Sequence, residues 1–187
     1  MKILLLTVII MVSQLCFGQS DTMPKHQIEK FDFKIGHWKW KAKGLTKPND
    51  PKIYNGTGFS HIYFANDSTA IIDDHKIEWE NGVSYKAITY RTYDTISNKY
   101  LVVWAQAKSS NTAKIEGYWE GTKFIEIEKG ADKFGEWTNR MEIYDIGNNY
   151  HKAKLIRTYK NGYSLTILEY EATRLIKNDI QTIDKKQ

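Results

Sequence analysis

From Trp38 onward, hydrophobic and polar positions alternate with a period of two. Trp38, Trp40 and Ala42 alternate with Lys39, Lys41 and Lys43. Ile115, Gly117 and Trp119 alternate with Lys114, Glu116, Tyr118 and Glu120, and Ile125 and Ile127 alternate with Glu126 and Glu128. Successive side chains of an extended chain point to opposite faces, so each stretch predicts a strand with one buried and one wet face. On this reading the isoleucines at 125 and 127 point inward and the two glutamates outward. The pattern predicts ten strands, near 37–43, 57–64, 69–77, 83–93, 99–107, 113–120, 123–129, 136–145, 149–160 and 163–174. Asn81-Gly82 and Asn161-Gly162 are strong hairpin signals, because a two-residue turn of the favoured type needs positive φ at both central residues. Glu120-Gly121 and Asp145-Ile146-Gly147-Asn148-Asn149 are weaker ones. Connections after residue 66 are short, so neighbours in sequence should pair as a meander. The longest loop expected is 44–56, with Pro48, Pro51 and Gly56. Ahead of the strands, Pro24 to Phe33 reads as a short helix, with Pro24 near its first turn and Ile28, Phe31 and Ile35 at helical spacing.

A meander of ten short strands leaves two edges open unless the sheet closes. The fold class is therefore all-β, a roughly ten-stranded antiparallel up-and-down barrel with a short N-terminal helix. A barrel of that size has room for a cavity. A two-sheet sandwich has the same strand spacing and stays open as the alternative.

The first residues add a different element. Met1-Lys2 precede an apolar run from Ile3 to Val12, then Ser13-Gln14-Leu15-Cys16-Phe17-Gly18 and the polar Gln19. A basic start, a short apolar core and a small residue before a polar stretch make an export signal over residues 1–18. Its apolar run is shorter than the ~20 residues of a membrane span. The expected location is the periplasm or the outside of the cell. Cleavage after Gly18 removes Lys2 and Cys16, so the net charge falls from +5 to +4 and no cysteine remains. No disulfide and no thiolate metal site then exist, although the compartment permits disulfides. Leu15 stands where a lipoprotein signal wants a small residue before its cysteine. Residues 19–30 read as a flexible segment, 31–176 as one domain and 177–187 as a polar tail. The mild, dispersed charge gives no basic block suited to nucleic acid or a bilayer.

Phe31-Asp32-Phe33-Lys34-Ile35-Gly36-His37-Trp38 resembles the Phe-Asp-Phe-x-x-Gly-x-Trp opening of an uncharacterised family of secreted bacterial proteins. That family is similar to calycins, the superfamily of lipocalins and fatty-acid-binding proteins, and to nitrobindin-like barrels. The resemblance implies structural roles for two residues: Gly36 turns the chain into the first strand and Trp38 plugs one end of the barrel. It implies a barrel able to hold a small molecule and names no substrate. Two departures are visible. Segment 44–56 is too short and too proline-rich for the helical lid of fatty-acid-binding proteins, and Trp40 replaces the second glycine of a nitrobindin-like Gly-x-Trp-x-Gly.

No catalytic or phosphate-binding motif is present, and no cofactor is expected. His151 is the one histidine that could ligate haem iron from an inward face, but its place just after a turn favours a strand-end histidine. Arg91, Asn139, Arg157 and Glu169 interrupt apolar faces, and an inward charge requires a partner. The function expected is binding of a small apolar or amphipathic molecule. Its body should lie among Trp40, Trp104, Trp119 and Met141, and its polar end toward Arg157 or Glu169. In a regular hairpin after Asn161-Gly162, residues 157 and 169 fall on opposite faces, so both point inward only if a bulge intervenes. The alternatives are a solidly packed barrel that binds a partner on its surface, and an enzyme using Arg157, Glu169 or His151.

Overall fold

The computed structural model describes residues 25–47 and 51–176. The expected export signal over residues 1–18, the residues up to Pro24 and the tail from 177 lie outside the described residues. A helix α1 (Lys25–Glu29) and a 3-10 turn (Asp32–Lys34) precede ten strands. These are β1 (Gly36–Leu45), β2 (Ile53–Ala65), β3 (Ala70–Trp79), β4 (Ser84–Asp94) and β5 (Lys99–Gln106), followed by β6 (Thr112–Glu120), β7 (Lys123–Asp132), β8 (Gly135–Gly147), β9 (Tyr150–Tyr159) and β10 (Ser164–Arg174). Each strand pairs antiparallel with its neighbour in sequence, and β1 pairs with β10, so the sheet closes as a barrel. Closure removes both edges, which decides between barrel and sandwich. No helix among the described residues is long and apolar enough to cross a membrane.

Three local expectations are corrected. The segment expected to form a single helix from Pro24 to Phe33 breaks at Lys30, and its second part is a 3-10 turn closed by Lys34 N–H donating to Phe31 O at 2.7 Å. Both ends of the expected loop 44–56 are strand: Gly44 pairs with Tyr54, and Gly56 pairs with both Ala42 and Trp79. The Asn-Gly turns hold only their glycine at positive φ, Gly82 at 83° and Gly162 at 87°. Each is a type I turn closed by a glycine bulge, with Gly82 N–H bonding Trp79 O and Gly162 N–H bonding Tyr159 O. Asn81 and Asn161 stay at negative φ and use their side-chain oxygens to accept the N–H two residues on.

The start of β1 defines one end of the barrel. Phe31 is fully buried, with ring centroids of Phe124, Tyr100 and Trp119 at 4.6, 5.3 and 5.6 Å. The Tyr100 hydroxyl donates to Gln27 O at 2.7 Å and Ile28 is buried, so the packed unit begins before Phe31. Trp38 donates its indole N–H to Lys34 O at 2.6 Å. The Arg174 guanidinium lies over the Trp38 ring at 4.4 Å and donates to Phe33 O at 2.6 Å, to Asn148 O at 2.8 Å and to Ile35 O. Gly36 sits at φ 127°, and a Cβ there would meet the same guanidinium at 2.6 Å. Gly36, Trp38 and Arg174 thus lock the N-terminal segment under the barrel as a plug.

Trp38→Ala is expected to lower stability by about 3–5 kcal/mol, the usual cost of truncating a large buried aromatic. Urea unfolding checks this. A midpoint unchanged within error would show that Trp38 does not close the barrel end.

Candidate functional site

Above the plug the barrel is open inside. A cavity of about 400 Å³ lies between the strands, lined by residues of all ten strands and of the loops beyond β1, β3 and β5. Aromatic rings form much of its wall. Trp40 lies flat against Gly58, where a Cβ would stand 2.4 Å from the ring, and donates its indole N–H to Ser60 Oγ at 3.1 Å. Trp79 packs in the same way on Gly44 and Gly56. Trp104 donates to His75 Nε2 at 3.4 Å and meets Tyr85 edge-on at 6.2 Å. His75 Nδ1 in turn lies 3.1 Å from Asp73 O. An indole can only donate, so His75 offers a lone pair at Nε2 and donates from Nδ1.

The floor of the cavity is a layer of buried charge. Arg91 Nε donates to Glu126 Oε1 at 2.8 Å, across the barrel from β4 to β7. Asp73 Oδ2 lies 3.7 Å from Lys34 Nζ and 3.8 Å from Arg91 Nη1. Lys34 rises from the plug, so two cations and two carboxylates balance formally at this level. Burial pushes the Lys34 ammonium down to about 8; Arg91 adds to this and Asp73 opposes it. Burial works against ionisation of Asp73, but the His75 imidazole, with Nδ1 3.5 Å from Oδ1, and the charges of Lys34 and Arg91 outweigh it and hold the carboxyl well below its ordinary range. Burial opposes the Arg91 charge as well, and Glu126 and Asp73 more than restore it. Burial raises the hydroxyls of Tyr170 and, at the rim, Tyr85, the latter to about 12. Asp73 Oδ1 and Arg91 Nη1 are buried without a hydrogen-bond partner among the described residues.

One layer higher, Glu128 accepts from Asn139 Nδ2 at 2.7 Å, and Asn139 Oδ1 accepts from Arg157 Nε at 2.9 Å. Arg157 also reaches Asp132 at 3.3 Å and lies over the Trp137 ring at 4.0 Å.

The residues singled out from the sequence fall in three places. Trp40, Trp104 and Met141 line the cavity. Trp119 does not: it belongs to the closed end, packed on Phe31 and Phe124 and bonded to the Tyr100 hydroxyl at 3.2 Å. The strand face assigned to it was right, but its height in the barrel follows from register, which alternation alone does not fix. Arg157 sits beside the wall and meets the cavity only through Asn139. Glu169 is on the outer face, 46% exposed at its side chain and 2.6 Å from Lys154. The β9–β10 pairing runs one residue off the expected register, with Leu165 opposite Arg157, so an uninterrupted strand would place Glu169 on the face of Arg157; the bulge between Thr166 and Leu168 turns it outward, opposite Lys154. Two faces are also corrected on β7. Glu126 and Glu128 point into the barrel, while Ile125 and Ile127 take the outer face. Ile125 is nevertheless covered there, between Tyr118 and Glu142 of the flanking strands.

His151, the haem candidate, is buried behind Trp38, with ring centroids 4.6 Å apart, and does not line the cavity. Among the described residues no group of three His, Cys, Asp or Glu side chains is placed to hold a metal ion. Sequence reasoning passed over Lys34, Asp73 and His75. The last two were within reach, because Ile71, Asp73, His75, Ile77 and Trp79 share one face of β3. Lys34 carried no signal, since its burial depends on where the plug docks.

No protein-family model matches the chain, and no curated protein matches it in sequence. Solved structures do match it in shape. The S-type phycobiliprotein lyase CPES of Guillardia theta has a TM-score of 0.57 at 11% identity, covering 80% of this chain and 92% of that one. Rv2717c of M. tuberculosis has a TM-score of 0.55 at 10% identity, covering 83% of this chain and all of the other. The chain is a calycin-like ten-stranded barrel, as its Gly36-His37-Trp38 opening implied. Identity this low carries the fold and no activity.

His151 generates a pH prediction. Burial, reinforced by the charge of Lys34, pushes its imidazole from 6.5 down to about 3. Below pH 6.5 the unfolded chain takes up a proton that the folded chain refuses, so stability is lost as pH falls through this window. The expected slope is up to about 1.4 kcal/mol per pH unit. Urea unfolding from about pH 6.5 to 4.5 stays above most carboxylate titration, and His151→Gln should flatten the slope there. An unchanged slope would assign the acid sensitivity elsewhere.

Proposed function

We propose that this protein binds a small amphipathic molecule inside the upper half of its barrel. The observation that carries the reading is the cavity itself: about 400 Å³, with tryptophan and tyrosine walls and a polar floor. That volume lies within the ~300–1,000 Å³ of small-molecule sites, and an apolar wall with a few convergent polar groups is their usual composition. An empty space of this size speaks against the alternative of a solidly packed barrel. The phycobiliprotein lyase shares the architecture, which supports an interior site of this kind without naming the occupant. A surface partner keeps one observation in its favour. Tyr63, Ile72, Tyr90 and Val103 are direct cross-strand neighbours in a row over the outside of four strands.

Export is part of the same proposal. Met1-Lys2, the apolar run and Gly18-Gln19 support it. The protein recovered from the periplasm or medium should begin at Gln19 by N-terminal sequencing; a cytoplasmic protein retaining Met1 would contradict export.

Binding is tested by tryptophan fluorescence during titration with amphipathic aromatic molecules, against a variant whose cavity is filled. Ala113 lines the cavity wall. Ala113→Trp is expected to weaken binding at least tenfold while circular dichroism still reports a folded sheet protein. Equal binding by the wild type and a folded Ala113→Trp variant would place the site outside the cavity.

A further inference from the structure

The charges around the cavity do not cancel, and this bears on what it holds. The inference rests on the cavity being a binding site. Four charged side chains line it: Asp73, Glu126 and Glu128 against Arg91. Lys34 reaches Asp73 from below at 3.7 Å, and Arg91 holds Glu126 at 2.8 Å. Those two pairs leave Glu128 as the surplus. Its partner is the neutral amide of Asn139, and among the described residues no cation pairs with it. The nearest guanidinium in the network, Arg157, reaches only the far side of that amide, and its charge is met by Asp132 at 3.3 Å. A second, independent observation lies one layer down. Asp73 is 7% exposed, lines the cavity, and keeps Oδ1 without a hydrogen bond, its nearest polar neighbour being His75 Nδ1 at 3.5 Å.

We propose that the cavity selects an organic cation, an ammonium group on an aromatic or apolar body, with the ammonium at Glu128 and the body between Trp40 and Trp104. Three physical arguments meet in this assignment. A half-buried carboxylate with no cationic partner, at the wall of an aromatic cavity, gains from an incoming positive charge. Ring faces of tryptophan and tyrosine attract cations through their quadrupoles, most strongly where water is excluded. An anionic ligand would join three carboxylates and find a single guanidinium, already held by Glu126. Arg91 Nη1, 3.8 Å from Asp73 Oδ2, also lacks a hydrogen bond, and a hydroxyl or carbonyl on the ligand body supplies one without adding charge.

The test uses the full chain and three probes that share one body: 2-(1-naphthyl)ethylammonium, 2-(1-naphthyl)ethanol and 1-naphthylacetate, by isothermal titration calorimetry. The expected result is binding of the ammonium at least tenfold tighter than either the alcohol or the carboxylate. Glu128→Gln should remove that preference, bringing the ammonium and the alcohol to the same affinity. The wild-type series stands alone if the variant does not fold. Equal binding of ammonium and alcohol would overturn the charge selection while leaving the cavity as a binding site. Tightest binding of the carboxylate would overturn it in favour of Arg91. Binding of none of the three would overturn this proposal, and the Ala113→Trp comparison with the broader panel then decides separately whether the cavity binds at all.

Discussion

The architecture depends on a layer of four charges held away from water at mid-barrel. Lys34, Asp73, Arg91 and Glu126 come from the plug, β3, β4 and β7, and each is almost fully buried. Removing one partner of such a set typically costs about 3–5 kcal/mol, because the other is left charged and alone. The layer is therefore a strong constraint on geometry even if its net contribution to stability is small. It requires the plug to dock at one height, since Lys34 must reach Asp73. That height is set by the indole of Trp38 on Lys34 O and by the Arg174 guanidinium on the carbonyls of Phe33 and Ile35. Below the layer the interior is aromatic and solid. Above it, the wall rings lie flat and leave space.

Flatness has a cause in the sequence. A ring can lie against a barrel wall only where the neighbouring strand presents no side chain. Gly58 under Trp40, Gly44 and Gly56 under Trp79, and Gly130 under Trp137 provide those places. The same device serves the closed end, where Gly117 receives the Phe124 ring. Glycine weakens a strand on its own account, so its repeated use beside large aromatics reflects packing. In the upper half it lines the interior with π faces and keeps their bulk out of the centre, and that is what leaves a cavity beside buried charge.

Much of this was legible in the sequence. Period-two alternation located all ten strands, and the short connections gave their order. Gly36-His37-Trp38 marked the first strand, and Arg91 and Asn139 were visible as polar residues on inward faces. The rest was not, for physical reasons. On β7 the isoleucines and glutamates exchange faces because Arg91, far away in sequence, makes an inward Glu126 favourable; local hydrophobicity cannot register such a partner. The position of Trp119 depended on register and not on face. Glu169 was undecidable without knowing where the β10 bulge falls. Lys34 is a lone lysine between apolar residues of the opening motif, and only the docked plug reveals it as half of a buried pair.

The charged layer divides a packed lower half of the barrel from an open upper half, the proposed binding site. Indole N–H resonances report both halves at once. The direct measurement is a heteronuclear NMR titration of the 15N-labelled protein with 2-(1-naphthyl)ethanol, a neutral probe that sets aside the question of charge. The account predicts that the indole signals of Trp40 and Trp104 shift with saturation, while those of Trp38 and Trp119 stay in place. Shifts at Trp38 and Trp119, or none at Trp40 and Trp104 at saturating probe, would contradict it.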